Sequence, residues 1–388
     1  MPIDIEKAMP RMAAEAVAIE PDSRRAGDGW GRKLARYRDP NLGRSLFEIA
    51  ITLGPLLLLW VAMWWSLGVS YWLYLLFMLP AAGFLVRLFM IQHDCGHGSF
   101  FRNRILNDCV GRVLGVLTLT PYDYWKRTHN IHHASFGNLD RRGIGDVTTL
   151  TVREYAALSR WGRFGYRFYR HPLTMFGIGP AYLFLFQHRL PVGLMRDGFA
   201  PWASAMATNA GIVVFAASTM WLIGAGPFLL VQLPITLLAA SIGVWLFYVQ
   251  HQFENTSWTE GKIWTLPDAA LHGSSYYDLP GLLRWFTANI GVHHVHHLSS
   301  KIPFYRLHGV MREHPELGAF GHLTLLQSLR CVRLALWDEE RQRLVSFRDM
   351  NLQSQPPAGN IARPRPDADP KPVLRRGQDA LEGGSYAS

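Results

Sequence analysis

Charged residues are scarce in this chain of 388 residues: Asp, Glu, Lys and Arg make up only 18% of it, against 49% apolar residues. That is little charge for a soluble enzyme and favours a membrane protein. The net charge of +10 lies outside the long apolar stretches. No helix-turn-helix, zinc-finger or aromatic-basic signature accompanies it, so a nucleic-acid partner is not predicted. Attraction to anionic lipid headgroups is the simpler explanation of the charge.

Cysteine is also scarce. Cys95, Cys109 and Cys331 are odd in number and unrelated in spacing, so neither a disulfide framework nor a zinc–thiolate site is predicted. The N-terminal segment lacks the apolar core of a secretory signal peptide, and we expect it to stay on the cytoplasmic side under reducing conditions.

Four long apolar runs stand out, each close to the roughly 20 residues with which a helix crosses a bilayer. They cover residues 49–69, 70–90, 203–223 and 228–250. The runs within each pair are joined by connections so short that each pair must form a helical hairpin. We therefore predict an all-α integral membrane protein with four transmembrane helices in two hairpins. Arg87, inside the second run, is interpreted as marking the emergence of that helix into the interface, where its side chain can snorkel.

The distribution of positive charge sets the expected orientation. Lys and Arg residues are dense in 24–44, before the first run, and in 102–127, after the second. The positive-inside rule then places both termini and the long middle segment in the cytoplasm. Residues 105–121 and 176–186 are shorter and broken by Gly, Pro or charge, and we interpret them as interfacial or re-entrant pieces, with a fifth span as the alternative.

Three regions are predicted along the chain. Residues 1–44 form a cytosolic N-terminal segment, and 45–350 form the membrane domain with a cytosolic helical cap. Residues 351–388, rich in Pro, Gly and mixed charge, are predicted to be a disordered tail.

Histidines form three short boxes on the predicted cytoplasmic side: HDCGH at 93–97, HNIHH at 129–133 and HHVHH at 293–297. Spacings of i, i+4 and of i, i+3, i+4 place each set on one face of a helix. Helical phase leaves His294 about a quarter turn away from its neighbours, as a bystander. The eight same-face residues are His93, His97, His129, His132, His133, His293, His296 and His297.

Eight imidazoles are more than one metal ion needs. Neutral imidazole is a good ligand for iron, copper, zinc and nickel, so the boxes predict a two-metal site in the cap. His251, at the end of the fourth run, is a candidate ninth ligand, because a histidine at that depth of an apolar helix is a functional candidate. Its alternative role is to anchor the helix end in the interface.

Carboxylates near the boxes are candidates for orienting the imidazoles by accepting the second ring N–H. They are Asp94, Asp140, Asp146 and Glu254. Six other histidines lack same-face partners and are interpreted as surface or core residues, with His272 the most open to another role. They are His171, His188, His272, His308, His314 and His322.

The order HxxxH, HxxHH, HxxHH, with two runs before the first box and two more before the third, resembles the integral-membrane fatty acid desaturases over about residues 45–310. The match to the family extends to flanking stretches such as WKRTHNIHHASFGNLD. The run around the third box, GSSYYDLPGLLRWFTANIGVHHVHHLSSKIPFYRL, resembles the acyl-lipid, omega-6 (delta-12) branch in a bacterial form. The resemblance implies two iron ions on the eight box histidines, with His251 as the extra ligand. With O₂ and two supplied electrons, such a centre introduces a cis double bond into an acyl chain of a membrane lipid.

The same resemblance implies a bacterial inner-membrane location with a cytoplasmic active site. No H-P-G-G motif marks a fused haem domain, so the electrons are expected from a separate donor such as a ferredoxin. Lys126, Arg127 and Lys301, near the boxes, are candidates for docking an acidic donor or lipid phosphates, with a solvated surface as the alternative.

Two other classes of function are left open by the motifs. The scaffold also supports fatty acyl hydroxylases, epoxygenases, acetylenases and carotenoid oxygenases, which box spacing does not exclude. A metal transporter that uses the histidines as a transit site is disfavoured, because the third and fourth runs carry no charged residue before His251, whereas transport paths usually have polar groups at mid-membrane.

Overall fold

The computed structural model of the chain describes residues 29–353. Within that range four helices are long and apolar enough to cross a membrane, which confirms the predicted number. They are the first to fourth spanning helices, Leu42–Ser66, Tyr71–His97, Phe199–Ile223 and Ala225–His251. Residues 67–70 join the first two, and Gly224 alone joins the last two. Gly224 has φ 90°, a backbone conformation that favours glycine, so each pair forms a tight hairpin.

The second helix of each hairpin extends beyond the predicted apolar run and ends on a histidine. The second spanning helix continues to His97 and is terminated by Gly98 in the left-handed conformation, with φ 62°. The fourth ends on His251. The predicted boundary at residue 90 is too early because the polar residues that follow it remain helical, buried beneath the cap.

The cap consists of shorter helices and turns. Between the hairpins lie helices Arg104–Leu117, Tyr122–Ser135, Val152–Ala157, Arg160–Tyr169 and Gly179–Leu185, with a π turn at Thr174–Ile178 and a 3₁₀ turn at Gln187–Arg189. After the fourth spanning helix come Leu266–Gly273, Gly281–Phe286, His293–Leu298, Phe304–Glu313, a 3₁₀ turn at Pro315–Ala319, Leu325–Cys331 and Phe347–Gln353. Residues 29–34 are helical and lead into a 3₁₀ turn at Ala35–Tyr37.

Two small sheets join parts of the cap that are distant in sequence. Strand Leu336–Asp338 pairs in parallel with Leu150–Thr151 and antiparallel with Arg343–Val345. Strand Tyr276–Asp278 pairs in parallel with His322–Thr324. The all-α membrane class is confirmed, and these short sheets are additions that the sequence did not predict. One hydrophobic core continues from the spanning helices into the cap.

Arg87 is buried, and the expectation that it snorkels to the interface is wrong. Its side chain is 2% exposed and forms an ion pair with Glu48, which is 1% exposed. Its Nε donates to Thr52 Oγ1 at 3.2 Å, and its guanidinium also donates to the Trp285 carbonyl. The first spanning helix begins at Leu42 rather than at residue 49, so Glu48 lies within it and supplies the partner. The ion pair thus ties the two helices of the first hairpin together.

Candidate metal centre

Nine histidines gather into two groups where the cap meets the spanning helices. Within each group, one ring nitrogen per residue lies within 4.8 Å of all the others. Group 1 contains His93, His97, His129, His133 and His296. Group 2 contains His132, His251, His293 and His297. The structure therefore brings together all nine histidines that the sequence predicted as ligands.

Helical spacing explains how the boxes are divided between the groups. The first box, at the end of the second spanning helix, faces group 1 only, and the fourth spanning helix contributes only His251, to group 2. In helix Tyr122–Ser135 the i and i+4 histidines face group 1 and the i+3 histidine faces group 2. In helix His293–Leu298 the division is reversed. The two cap helices thus lie between the groups and contribute to both.

The spacing of the ring nitrogens fits metal coordination. Nε2 atoms are paired at 3.1 Å for His129–His133, 3.2 Å for His133–His296, 3.1 Å for His132–His251, 3.0 Å for His251–His293 and 3.0 Å for His293–His297. Two nitrogens bound to one ion at about 2.1 Å, with an angle of about 90° between them, lie about 3.0 Å apart. The nitrogens of each group are thus spaced as ligands of a common ion.

The protonation state of the cap histidines also fits metal binding. Burial, reinforced by the neighbouring imidazoles, holds the pKa of five of them well below its usual value: His129, His133, His293, His296 and His297. They are therefore neutral, the form in which imidazole binds a metal. In group 1, His97 Nε2 is buried and has no hydrogen-bond partner within residues 29–353, which a metal ion would satisfy.

Oxygen atoms outside the groups orient one or more rings in each. His93 Nδ1 lies 3.1 Å from Asp94 Oδ1, and the other carboxylate oxygen of Asp94 accepts from the Phe304 backbone N–H at 2.7 Å. His132 Nδ1 contacts Asp146 Oδ1. His251 Nδ1 donates to the Gly273 carbonyl at 3.4 Å. Hydrogen bonds of this kind fix the tautomer and direct Nε2 toward the centre of the group.

The other two candidate carboxylates lie elsewhere. Asp140 and Glu254 are exposed, and within the described part of the chain neither is hydrogen-bonded to a box imidazole; Asp140 accepts instead from the Gly261 N–H at 2.8 Å. Asp146 reaches its histidine because the preceding residue is Gly145, with φ 78°. A Cβ there would lie 3.1 Å from His132 Cβ and 3.0 Å from the Thr128 carbonyl oxygen, so only glycine lets the loop approach the helix this closely.

His294 lies outside both groups, on the side of its helix that helical phase predicts. It is fully buried, with its ring centroid 5.8 Å from that of Tyr276, and burial lowers its pKa to about 4. The six histidines without same-face partners also lie outside both groups. His272, the most open to another role, is exposed and has its ring against Phe320 at 5.4 Å.

Aromatic side chains around the groups were not singled out from the sequence. Trp125 stacks on His129 with ring centroids 4.6 Å apart, and Phe136 lies 3.9 Å from His297 and 5.9 Å from His132. Trp125 precedes His129 by four residues on the same helix face, and Phe136 follows His132 by four residues, just after the helix ends; this spacing is the signal that could have identified them. They exclude water from one side of each imidazole cluster.

The basic residues near the boxes are already engaged. Lys126 pairs with Asp108 at 2.8 Å, and Arg127 pairs with Asp197 at 2.6 Å. Lys301 donates to the backbone carbonyl of His97, where it helps to fix the end of the second spanning helix.

The fold and the site define an integral membrane protein in which cap helices and two spanning helices build a histidine-only candidate centre for two metal ions. Comparison with known protein families identifies the family of this chain. The family model for fatty acid desaturases matches residues 70–327. The chain is 45% identical to a fatty acid desaturase of Bacillus subtilis over 82% of this chain and 90% of that protein. The chain belongs to the fatty acid desaturase family and is a membrane oxidoreductase.

More distant relatives have more specific names. An sn-1 acyl-lipid omega-3 desaturase (ferredoxin) of Nostoc is 26% identical over 69% of this chain and 74% of its own. An acyl-lipid omega-3 desaturase (cytochrome b5) of the Arabidopsis thaliana endoplasmic reticulum is 28% identical over 64% of this chain and 62% of its own.

Proposed function

We propose that the protein introduces a cis double bond into an acyl chain of a membrane lipid, with O₂ as oxidant and two iron ions at the two histidine groups. The observation that carries this proposal is the pair of imidazole clusters, which lie at the ends of two spanning helices in a desaturase-family chain. Iron, rather than another imidazole-binding metal, follows from the family resemblance.

The overall reaction has a simple balance. With O₂, two electrons and two protons supplied, the adjacent methylenes lose two hydrogens and two waters form. When bound, the iron pair would supply the O₂ reduction that makes an oxidant strong enough to attack an unactivated C–H bond. In group 1, His93, His97, His129, His133 and His296 would hold one ion, and in group 2, His132, His251, His293 and His297 would hold the other.

Other residues of the chain hold the imidazole rings of the two groups in position. Asp94 and Asp146 accept hydrogen bonds from the Nδ1 atoms of His93 and His132 and hold both rings with Nε2 facing inward. Trp125 and Phe136 lie against imidazole rings and exclude water from them. The exclusion of water favours reaction of the oxidant with the acyl chain. An acyl chain has no polar group at the reacting carbons, so only the shape of its binding site can select the position.

For the position of the new bond we propose delta-12 (omega-6). This is supported by the likeness of the third box and its surroundings to that branch. Omega-3 desaturation is the second candidate, favoured by the names of the Nostoc and Arabidopsis relatives. The proposed donor is a ferredoxin, as in the name of the Nostoc relative, and the proposed location is a bacterial inner membrane with the centre and both termini in the cytoplasm.

The test is to express the chain in a host that makes only saturated and monounsaturated lipids. Gas chromatography with mass spectrometry of double-bond adducts is expected to show a second double bond at delta-12, with no hydroxylated or epoxidised chains. Supplying an omega-6 diunsaturated chain tests the second candidate, because an omega-3 enzyme would convert it to a triene. Unchanged acyl chains with modified carotenoids would refute the proposal.

A metal transporter is tested by different measurements. Bound iron that consumes O₂ on reduction supports the oxidoreductase, whereas exchangeable zinc without oxygen chemistry would support transport. The third and fourth spanning helices carry no charged residue before His251, which again favours the oxidoreductase over a transport path.

A further inference from the structure

An amphipathic helix of the cap has an exposed aromatic face. In helix Arg160–Tyr169, residues i, i+3 and i+7 are Trp161, Phe164 and Phe168, which share one face. They are 81%, 64% and 54% exposed. The rings of Trp161 and Phe164 meet edge to face at 6.2 Å, so the side chains form one patch. Large exposed apolar patches mark surfaces that are covered by a partner or by membrane.

The opposite face of this helix is fixed to the cap. The buried Tyr166 donates its hydroxyl proton to the Ala335 carbonyl at 2.6 Å, and its ring lies 6.0 Å from that of Phe347. Arg167 lies 4.9 Å above the Phe347 ring and donates to the Tyr155 hydroxyl at 2.7 Å. These contacts set the rotation of the helix, so its aromatic face is held away from the core.

The chain after this helix leads onto the membrane-spanning surface. Phe176 packs against Trp245 at 5.0 Å and Tyr248 at 5.3 Å, near the histidine-bearing end of the fourth spanning helix. Leu173 and Ile178, on either side of Phe176, are 72% and 59% exposed. Exposed apolar side chains therefore also follow the aromatic helix along the chain, beside the end of the fourth spanning helix that carries His251.

The charge of this region is complementary to anionic lipid. No Asp or Glu occurs between Glu154 and Asp197. Arg160 and Arg163 adjoin Trp161 and Phe164 in sequence and are exposed, and Arg163 is held in place through the backbone carbonyls of Leu158 and Ala156 at 3.0 and 2.9 Å. An arginine-rich helix with an aromatic face lies in a bilayer interface, with its rings at the level of the headgroups and acyl boundary.

We propose that helix Arg160–Tyr169 is an interfacial binding site for anionic phospholipid in the leaflet on the histidine side. Trp161, Phe164 and Phe168 lie at the acyl boundary, and Arg160 and Arg163 bind lipid phosphates. This surface is separate from the metal centre. Its test involves no turnover, so the result is independent of the proposed reaction.

Lipid contact can be measured by fluorescence quenching in the full chain. In a Cys109→Ser background, where the two other cysteines are buried, a Trp161→Cys variant is labelled with the fluorophore NBD and placed in nanodiscs of mixed phosphatidylcholine and phosphatidylglycerol. Lipids with a nitroxide high on the acyl chain are expected to quench it severalfold more than a label at Arg153→Cys. Arg153 is the matched control, since its side chain is 83% exposed in the same part of the cap.

Three outcomes would overturn the interfacial placement: no quenching at position 161, equal quenching at both positions, or a label at 161 that is shielded from water without lipid quenching. The last would identify a protein as the occupant.

The preference for anionic lipid is tested by moving the nitroxide from phosphatidylcholine to phosphatidylglycerol at equal mole fraction. Each arginine is expected to enrich anionic lipid by up to about fivefold, so the label at 161 is quenched more strongly by phosphatidylglycerol. Arg160→Gln with Arg163→Gln should remove the difference, and the corresponding Lys variants should keep it. Arg160→Gln alone should reduce the difference in quenching by half or more. Because this variant keeps Arg163 and its contacts with the backbone, it distinguishes loss of lipid binding from a folding effect of replacing Arg163. Equal quenching by both lipids in the parent would overturn the assignment of anionic phospholipid.

Discussion

Replacing Asp146 with Asn is expected to weaken metal binding without unfolding the cap. The carboxylate of Asp146 contacts Nδ1 of the fully buried His132, while Asp146 itself is 18% exposed. Asn retains the shape and an acceptor oxygen, but it loses the negative charge that strengthens the hydrogen bond to the imidazole and helps to fix its tautomer. Loss of such a partner costs about 10–100-fold in metal affinity, or about 1.4–2.8 kcal/mol.

The assay is metal retention against a graded chelator, read by elemental analysis of the purified protein. The chelator concentration at which half of the metal held by group 2 is removed should be about one to two decades lower for Asp146→Asn than for the parent. Asp140→Asn is the matched control, because Asp140 lies in the same loop, is exposed and binds the Gly261 N–H. The reasoning is refuted if Asp146→Asn retains metal like the parent, or if Asp140→Asn loses it to the same extent.

Three further predictions concern single side chains. His296→Ala should abolish lipid desaturation and lower bound metal, whereas His294→Ala should retain both; equal loss of product in lipid analysis would contradict the helical-phase assignment. Burial lowers the pKa of His188 to about 3, so between about pH 6.5 and 3 the unfolded chain binds a proton that the folded one does not, and stability falls with falling pH by on the order of 5 kcal/mol. His188→Phe should make the decline in melting temperature shallower, and an unchanged slope would count against it. Arg87→Met removes the buried partner of Glu48 and leaves its carboxylate paired, among the described residues, with the half-exposed Arg44. It should lower the free energy of unfolding by up to about 3–5 kcal/mol; adding Glu48→Gln should recover most of this in denaturant titrations, and no recovery would argue against the buried pair.

Local periodicity was sufficient to predict the spanning helices and the helix side on which the box histidines lie, but not the division of those histidines into two groups. Length and apolarity define a membrane helix almost independently of its neighbours, and i, i+3, i+4 spacing fixes which side chains share a face. For the same reason, helical phase alone separates His294 from His293 and His296. His251 was predicted from its depth in the fourth run, and the structure places it within group 2.

Contacts between residues distant in sequence could not be predicted in this way. Arg87 looked like an interfacial residue because its partner, Glu48, lay just outside the predicted first run. Asp140 and Asp146 are both aspartates in the loop after the second box, so the residue type does not distinguish them. The difference is the turn at Gly145, whose positive φ brings the loop against the helix that carries His132. The short strands are only two or three residues long, too short for a period of two to be recognised.

The division of the boxes explains why this centre must assemble as a unit. The second and fourth spanning helices each supply histidines to one group, whereas the second-box and third-box helices supply histidines to both. His133 of group 1 and His297 of group 2 stack with ring centroids 4.1 Å apart, so a shift of either helix that opens one group also moves ligands of the other. The spacing of the two histidine groups is therefore set by the two cap helices, and the second and fourth spanning helices extend beyond their apolar runs because only there can His97 and His251 meet these helices.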